Sequence, residues 1–299
     1  MNTKFRLALL VAVALVAVLG FSVVNTQVQA QDYSGHTVVL GYAQYITDPA
    51  SGEAGGITYF RSDLGNGQLA HDFVYNDPRA AWDTVPGISY GVKTGFQSSD
   101  VNLTNQLSWF GESFRVWERL QCSGLTLTEN SVNPSSPGLV ANFFSTGVLD
   151  IGLVQADVTQ IGFLGVSSIF PPGTSTLGVT YTLFWTDANG NLTDIDNNGK
   201  VDAALREIYY NDQYEWADNG VEGAQPSGPR VFDLPTVAIH EVGHGLSAAH
   251  FGNIGTRSDG SLVANPRASM NAIYGGTLRE LQGRDVGSHC SNWAQWPNN

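Results

Sequence analysis

Three of the chain's six histidines fall within eleven positions, in HEVGHGLSAAHFG at residues 240–252. On a helix turning about 100° per residue, His240 and His244 lie one turn apart on one face, so both imidazoles can reach one ion. Glu241 points to one side of that pair. It cannot easily share the ion, but it can hold a water that the ion binds. Two neutral nitrogen ligands and a carboxylate base at this spacing are the parts needed for metal-assisted hydrolysis. His250 sets the harder condition. In a continuous helix it would stand about 9 Å along the axis from His244 and about 120° around it, out of reach of the same metal. The helix must therefore stop and turn before His250. Three histidines and one open position would result, the ligand count of a catalytic rather than a structural zinc site.

The elements that would hold these residues can be read from local pattern. Asp233 is an N-cap, Pro235 falls in the first turn where its missing donor is harmless, and Ala238, Ile239, Val242, Leu246 and Ala249 form an apolar arc away from the histidines. VNLTNQLSWFGESFRVWERL at 101–120, with Leu107, Phe110, Phe114 and Trp117 at helical spacing, predicts a second amphipathic helix. GISYGVKTGF at 87–96, VLDIGLVQADV, STLGVTYTLFW and REIYYND at 206–212 predict strands. Residues 31–85 hold shorter β-like runs, HTVVLGYAQYI, GGITYF and HDFVYN, broken by Gly, Asp, Asn and Pro; they read as a prosegment or an accessory segment before a main domain at 86–299.

Composition narrows the setting. Residues 1–30 carry Lys4 and Arg6 ahead of an uncharged run from Leu7 to Val24, then Val28-Gln29-Ala30, which predicts a secretory signal cleaved after Ala30, with a membrane anchor as the alternative. No second such run follows, so no membrane association is expected once the signal is gone. The formal net charge is −13, and loss of the signal would remove two of 14 basic and none of 27 acidic residues, which argues against a nucleic-acid partner. The two cysteines, Cys122 and Cys290, would meet an oxidising compartment; one bridge from the first helix to the C-terminal segment and two free buried thiols both fit.

The motif resembles that of the metzincin zinc peptidases, HExxHxxGxxH followed by a methionine-containing turn. Met270, in RASMNAIYGG, stands twenty residues after His250. Within the metzincins the chain is most similar to the matrixin group. Met270-Asn271-Ala272-Ile273-Tyr274 echoes its M-x-P-x-Y wall, and LQGRDVG with Asp285 its final helix. FRVWERLQCSGLTLTE, ADVTQIGFLG and EIYYNDQYEW are similar to its first helix and inner strands, so the likeness spans roughly residues 86–290. Three departures stand out. Ser247 replaces glycine where the chain leaves the helix, with Gly245 as an earlier place to bend; Ala272 replaces proline; and no cysteine-switch sequence precedes the catalytic region.

The resemblance implies an α/β, zincin-like fold: a twisted, mostly parallel sheet, two long helices including the active-site helix, and a small C-terminal subdomain. It implies a secreted zinc metalloendopeptidase that hydrolyses a polypeptide through a metal-bound water. His240, His244 and His250 would hold zinc, Glu241 would be the base, and Met270 would support the site from beneath. Ile273 and Tyr274 would wall a substrate pocket, with ordinary core packing as the alternative. STLGVTYTLFW would be the edge strand that pairs with an extended peptide, as β-augmentation requires.

Two rivals keep part of this reading. A gluzincin-type peptidase would take a carboxylate such as Glu280 as third ligand, and a zinc-bearing binding module would hold metal without turnover. Elsewhere, Asp194, Asp196, Asn198, Gly199 and Asp202 in DIDNNGKVD match the first nine positions of an EF-hand-like calcium loop, but Leu205 stands where the bidentate acid belongs. A calcium site completed from elsewhere and a solvated Asn-Gly turn both fit. His36, His71 and His289 carry no spacing signal.

Overall fold

The computed structural model describes residues 37–54, 67–83, 85–220, 223–224 and 230–297. The leader read at 1–30, His36 and the GGITYF run lie outside the described residues. No helix among the described residues is long and apolar enough to cross a membrane.

The centre is a seven-stranded sheet. Its strands are β1 (Thr37–Thr47), β2 (His71–Asp72), β3 (Ile88–Val92), β4 (Leu127–Glu129), β5 (Val158–Leu164), β6 (Thr176–Thr186) and β7 (Val201–Asn211). They run in the order β1-β6-β7-β5-β3-β4, with β2 beside β7. The β7-β5, β5-β3, β3-β4 and β2-β7 pairs are parallel, and β1-β6 and β6-β7 are antiparallel. The sheet is thus mixed and mostly parallel, as the resemblance implies. Its inner strands are buried on both faces, which is why they read as nearly continuous apolar runs.

Helices cover the two faces. α1 (Leu103–Glu118) and α3 (Leu234–Gly245) pack together over one, around Phe110, Phe114, Trp117, Val237 and Val242. The other face carries a second core of Leu139, Val140, Phe170, Tyr181, Trp185 and Tyr209, to which α2 (Leu139–Thr146) contributes. The carboxylate of Glu207 on β7 accepts from the Leu139 and Val140 N–H groups at 2.7 and 2.8 Å, a buried charge placed at the helix N-terminus that attracts it. Beyond α3 follow a hairpin, β11 (Asn253–Thr256) with β12 (Leu262–Asn265), and α4 (Gly283–Trp293). Between β7 and α3 lies a small sheet of β8 (Glu215–Ala217), β9 (Gly223–Ala224) and β10 (Arg230–Asp233).

The structure corrects three expectations. STLGVTYTLFW is not the sheet edge: β1 pairs antiparallel with it from Thr37↔Thr186 to Thr47↔Thr176. Periodicity marks both segments as strands but does not say which is the neighbour of which. VLDIGLVQADV is not a strand, because the Asp150 carboxylate accepts from Gly152 N at 3.0 Å and winds Ile151–Leu153 into a 3-10 turn; the strand begins at Val158. α2 was not foreseen, since eight residues bounded by glycines give too little periodic signal.

Residues 37–54 and 67–83 are woven into this sheet. β2 lies on β7, Lys200 pairs with Asp72 at 2.9 Å, and buried Arg79 bridges Asp77 and Asp202 at 2.7 and 2.9 Å. Trp82 Nε1 donates to Asp157 at 3.0 Å. At the other end, Cys122 and Cys290 form a disulfide that ties the loop after α1 to α4 across 168 residues. The bridged alternative is therefore the one realised. Closing so long a loop restricts the unfolded chain strongly, so Cys122→Ser/Cys290→Ser is expected to lower the unfolding free energy by about 3–5 kcal/mol. Urea denaturation checks this, and an unchanged midpoint refutes it.

Candidate metal centre

The helix that carries the motif starts where the sequence places it. The Asp233 carboxylate accepts from Thr236 N at 3.1 Å, and Pro235 occupies the first turn. Gly243 lets two supports close on this helix: a Cβ there would meet Met270 Sδ at 2.3 Å and Trp117 Cζ2 at 2.7 Å. Trp117 Nε1 donates to Ile239 O at 2.9 Å, fixing α1 against α3.

The required stop follows Gly245. Ser247 N donates to His244 O at 3.1 Å and Ala248 N to Gly243 O at 2.9 Å, the paired bonds of a Schellman turn. That turn needs a left-handed residue, and Ser247 takes it at φ 64°. Gly245 stays helical, so the bend does not move earlier. A non-glycine residue in this region gives up about 1–2 kcal/mol. Its offset is visible: Arg206, fully buried, donates to Ser247 Oγ at 2.9 Å and to Gly245 O at 2.8 Å. Arg206 also donates to His71 O at 3.2 Å and lies 2.9 Å from His71 Nδ1. Burial pulls its pKa down to about 9, with Asp72 acting against that. The strand-like stretch before β2 completes the turn, as Leu69 N donates to Ser247 O at 2.9 Å and Ala249 N to Gly67 O at 2.8 Å.

The turn returns the chain so that His250 meets the other two histidines. His250 Nε2 lies 3.0 Å from His244 Nε2 and 3.3 Å from His240 Nε2. The Nδ1 atoms of His240 and His244 lie 2.6 Å from Ser269 O and 2.8 Å from Ala248 O. A carbonyl only accepts, so each Nδ1 carries the proton and each Nε2 presents a lone pair. Burial lowers the His240 pKa to about 4, and burial together with His250 and His240 puts His244 well below its ordinary value, so both are neutral ligands near pH 7.

The three Nε2 atoms suit a cation better than one another. Their spacing is close to the roughly 3.3 Å edge of a tetrahedron whose ligands stand about 2.0 Å from zinc. The donor set therefore fits zinc. Glu280 is exposed and offers only its carbonyl, to Ser269 Oγ at 3.3 Å, so among the described residues the gluzincin-type ligand is not brought to the cluster.

Glu241 is fully buried beside this cluster. Thr180 on β6 donates its hydroxyl to Glu241 Oε2 at 2.7 Å and to Glu241 O at 3.0 Å. Burial raises the Glu241 pKa to about 8, against the Thr180 hydroxyl and the Ile46 N–H, which favour the anion. Its second oxygen, Oε1, has no partner. Gly178 permits this closeness, since a Cβ there would meet Glu241 Cγ and Val237 Cγ1 at 3.0 Å.

Below the histidines, the Asp285 carboxylate accepts from Ser269 N and Met270 N at 2.9 and 3.0 Å, and Met270 O accepts from Phe251 N at 2.7 Å. The methionine turn thus holds His240 through Ser269 and His250 through Phe251. Ile273 and Tyr274 are buried, Ile273 bridging to Thr47 and Tyr274 accepting from Asp233 N at 3.1 Å. As the chain stands, they pack as core.

The acidic loop lies apart from the histidines. Asp194, Asp196 and Asp202 converge, but Asp194 accepts from Asn198 N and Gly199 N at 3.0 Å, Asp202 is held by Arg79, and Asn198 turns its amide to donate to Asp72 and Asp196. His289 faces Ser123 Oγ at 3.0 Å beside Trp117. Thr180, Arg206 and His71 had no local signal in the sequence, because their roles arise only where β6, β7 and β2 meet α3.

No protein-family model matches the chain, and no curated protein matches its sequence.

The turn at Ser247 makes a separable prediction. Ser247→Ala keeps the left-handed backbone and leaves Arg206 short of an acceptor, so it is expected to lose about 1–3 kcal/mol. Ser247→Gly loses the same bond but relieves the backbone, and should lose about 1 kcal/mol less. Urea midpoints read both, and equal losses would refute the assignment of strain to this residue.

Proposed function

We propose that the chain is a zinc-dependent endopeptidase of the metzincin kind, with His240, His244 and His250 as metal ligands and Glu241 as general base. The observation that carries this reading is the convergence of three Nε2 lone pairs beside a buried, half-satisfied carboxylate. Zinc held there supplies Lewis acidity, which lowers the pKa of a water and polarises a carbonyl. A cation bound at the histidines would favour the ionised carboxylate, and Glu241 would then take a proton from the attacking water on Oε1 and give it to the leaving amine. Thr180, bonded to Oε2, fixes one oxygen of that carboxylate and leaves the other for the water. With β1 displaced, β6 would offer main-chain groups to an extended polypeptide, and Ile273 and Tyr274, packed as core while β1 is in place, would border the uncovered groove. A leader at 1–30 and the Cys122–Cys290 bridge support secretion into an oxidising compartment. Calcium at the Asp194–Asp202 loop is a secondary proposal resting on its three converging carboxylates.

The test compares wild type, Glu241→Gln and His250→Ala for bound zinc and casein cleavage. Because β1 covers β6, each is also measured with Gly41→Val, whose side chain wedges against Phe184, a Cβ at 41 falling 2.0 Å from that ring. One zinc per chain is expected in wild type and Glu241→Gln, and none in His250→Ala. In the wedged chain, Glu241→Gln should slow cleavage by about 10²–10⁴-fold with zinc retained. Cleavage at the parental rate in Glu241→Gln would sink the assignment of the base. Zinc without cleavage in both backgrounds would favour the binding-module reading.

A further inference from the structure

We propose that β1 fills the groove of this site from within the chain, and that Gln44 brings its amide oxygen to the fourth position of the three-histidine centre. This rests on the peptidase reading for the meaning of the groove, but the covering itself is argued from register and burial.

β1 lies where an extended peptide would. On one side it pairs antiparallel with β6 along the whole strand; on the other, Thr47 bridges in parallel to Ile273, and Tyr274 N donates to Thr47 O at 2.9 Å. Beyond the strand, Asp48 N donates to Ser175 O at 2.9 Å and Asp48 pairs with Arg230. Both rims of the groove are thus occupied by this chain's own backbone.

The register then fixes which side chains face the histidines. Directly opposed residues of an antiparallel pair share a face. Gln44 opposes Thr180, which is bonded to Glu241, and Ile46 opposes Gly178, which abuts Val237 and Glu241. Tyr42, on the same face, stacks on His71 beside the Ser247 turn, with ring centroids 5.7 Å apart. Gln44, between Ile46 and Tyr42 on that face, stands opposite the residue that is bonded to Glu241.

Gln44 is 5 % exposed, and its Oε1 is buried with no hydrogen-bond partner. An unmet buried acceptor typically costs about 1–3 kcal/mol. Glu241 Oε1 is in the same condition on the same face. Both oxygens belong to the face of β1 and β6 that packs on the histidine helix, and a cation with an oxygen-accepting position would satisfy them. Gln44 supplies the neutral oxygen that completes its shell, and Glu241 stays sealed while β1 is in place.

The test uses the full chain loaded with cobalt(II), whose visible bands report ligand changes at the metal, and acetohydroxamate as a small competing ligand. Gln44→Ala is expected to bind acetohydroxamate at least about tenfold more tightly than wild type, and Gln44→Glu no more tightly than wild type. Gly41→Val should expose the metal likewise. A disulfide from Thr37→Cys/Thr186→Cys, at a pair whose hydroxyls already meet, should close the wedged chain until it is reduced. Gly41→Val without the added cysteines, treated with the same reductant, controls for opening of Cys122–Cys290. Equal acetohydroxamate affinity in wild type, Gln44→Ala and Gly41→Val would overturn the proposal. If Gly41→Val opens the cobalt site yet its zinc form cuts no casein, the covering stands and the peptidase reading falls.

Discussion

The site depends on one backbone conformation, the left-handed turn at Ser247. Without it α3 runs on and His250 points away from the other two histidines; with it three nitrogens meet. A glycine would adopt the turn freely. Serine does so at a cost of about 1–2 kcal/mol, and Arg206 returns an amount of the same order through a charged hydrogen bond to Oγ. Arg206 in turn needs a reason to be buried with no carboxylate in hydrogen-bonding distance among the described residues. The end of α3 provides it. Gly245 O carries the negative end of the helix dipole, and the cation sits against it. His71 and the 67–69 backbone close the remaining sides, so the turn is braced from β7 and from the N-terminal segment together.

This bracing divides the chain before residue 86 into two parts with different physical roles. Residues 67–83 hold the turn, salt-bridge to β7 and bury Leu69 and Phe73 in the core; their loss would release the third histidine. Residues 37–54 add a strand and a turn at the sheet's rim. They bury Ile46 and Gln44 over the site and stack Tyr42 on His71. Removing them would uncover the groove and take away that stack, while the Arg206 and Leu69 bonds to Ser247 belong to other segments.

Much of the site was legible because its parts are local. The histidine spacing, the Asp233 cap with Pro235, and the methionine twenty residues on are fixed by short-range geometry, and the structure places each where that geometry asks. The Asp285 carboxylate could be placed on a final helix, though not its bonds to Ser269 and Met270. What was not legible depends on pairings between distant segments. HTVVLGYAQYI reads as a strand, yet nothing in its alternation names β6 as its partner. Thr180 and Arg206 look like ordinary strand residues until β6 and β7 are laid on α3. His71 carried no spacing signal because its partner is an arginine 135 residues away.

The occupied edge also bears on why a strand rather than a loop covers the groove. An open β6 edge would present unpaired N–H and C=O groups to any extended chain, which is useful for binding substrate and hazardous for aggregation. A tethered strand removes the hazard, and on the peptidase reading proposed above it would also compete with an extended substrate for the same main-chain groups. Gly41 is where the pairing of β1 with β6 is thinnest. The register slips between Leu40 and Tyr42, and the Phe184 ring fills the space that a side chain would need. The edge is thus closed by a strand with one discontinuity, set against the Phe184 ring that also packs on His71, so detaching β1 there is felt by the bracing of the turn on which the site rests.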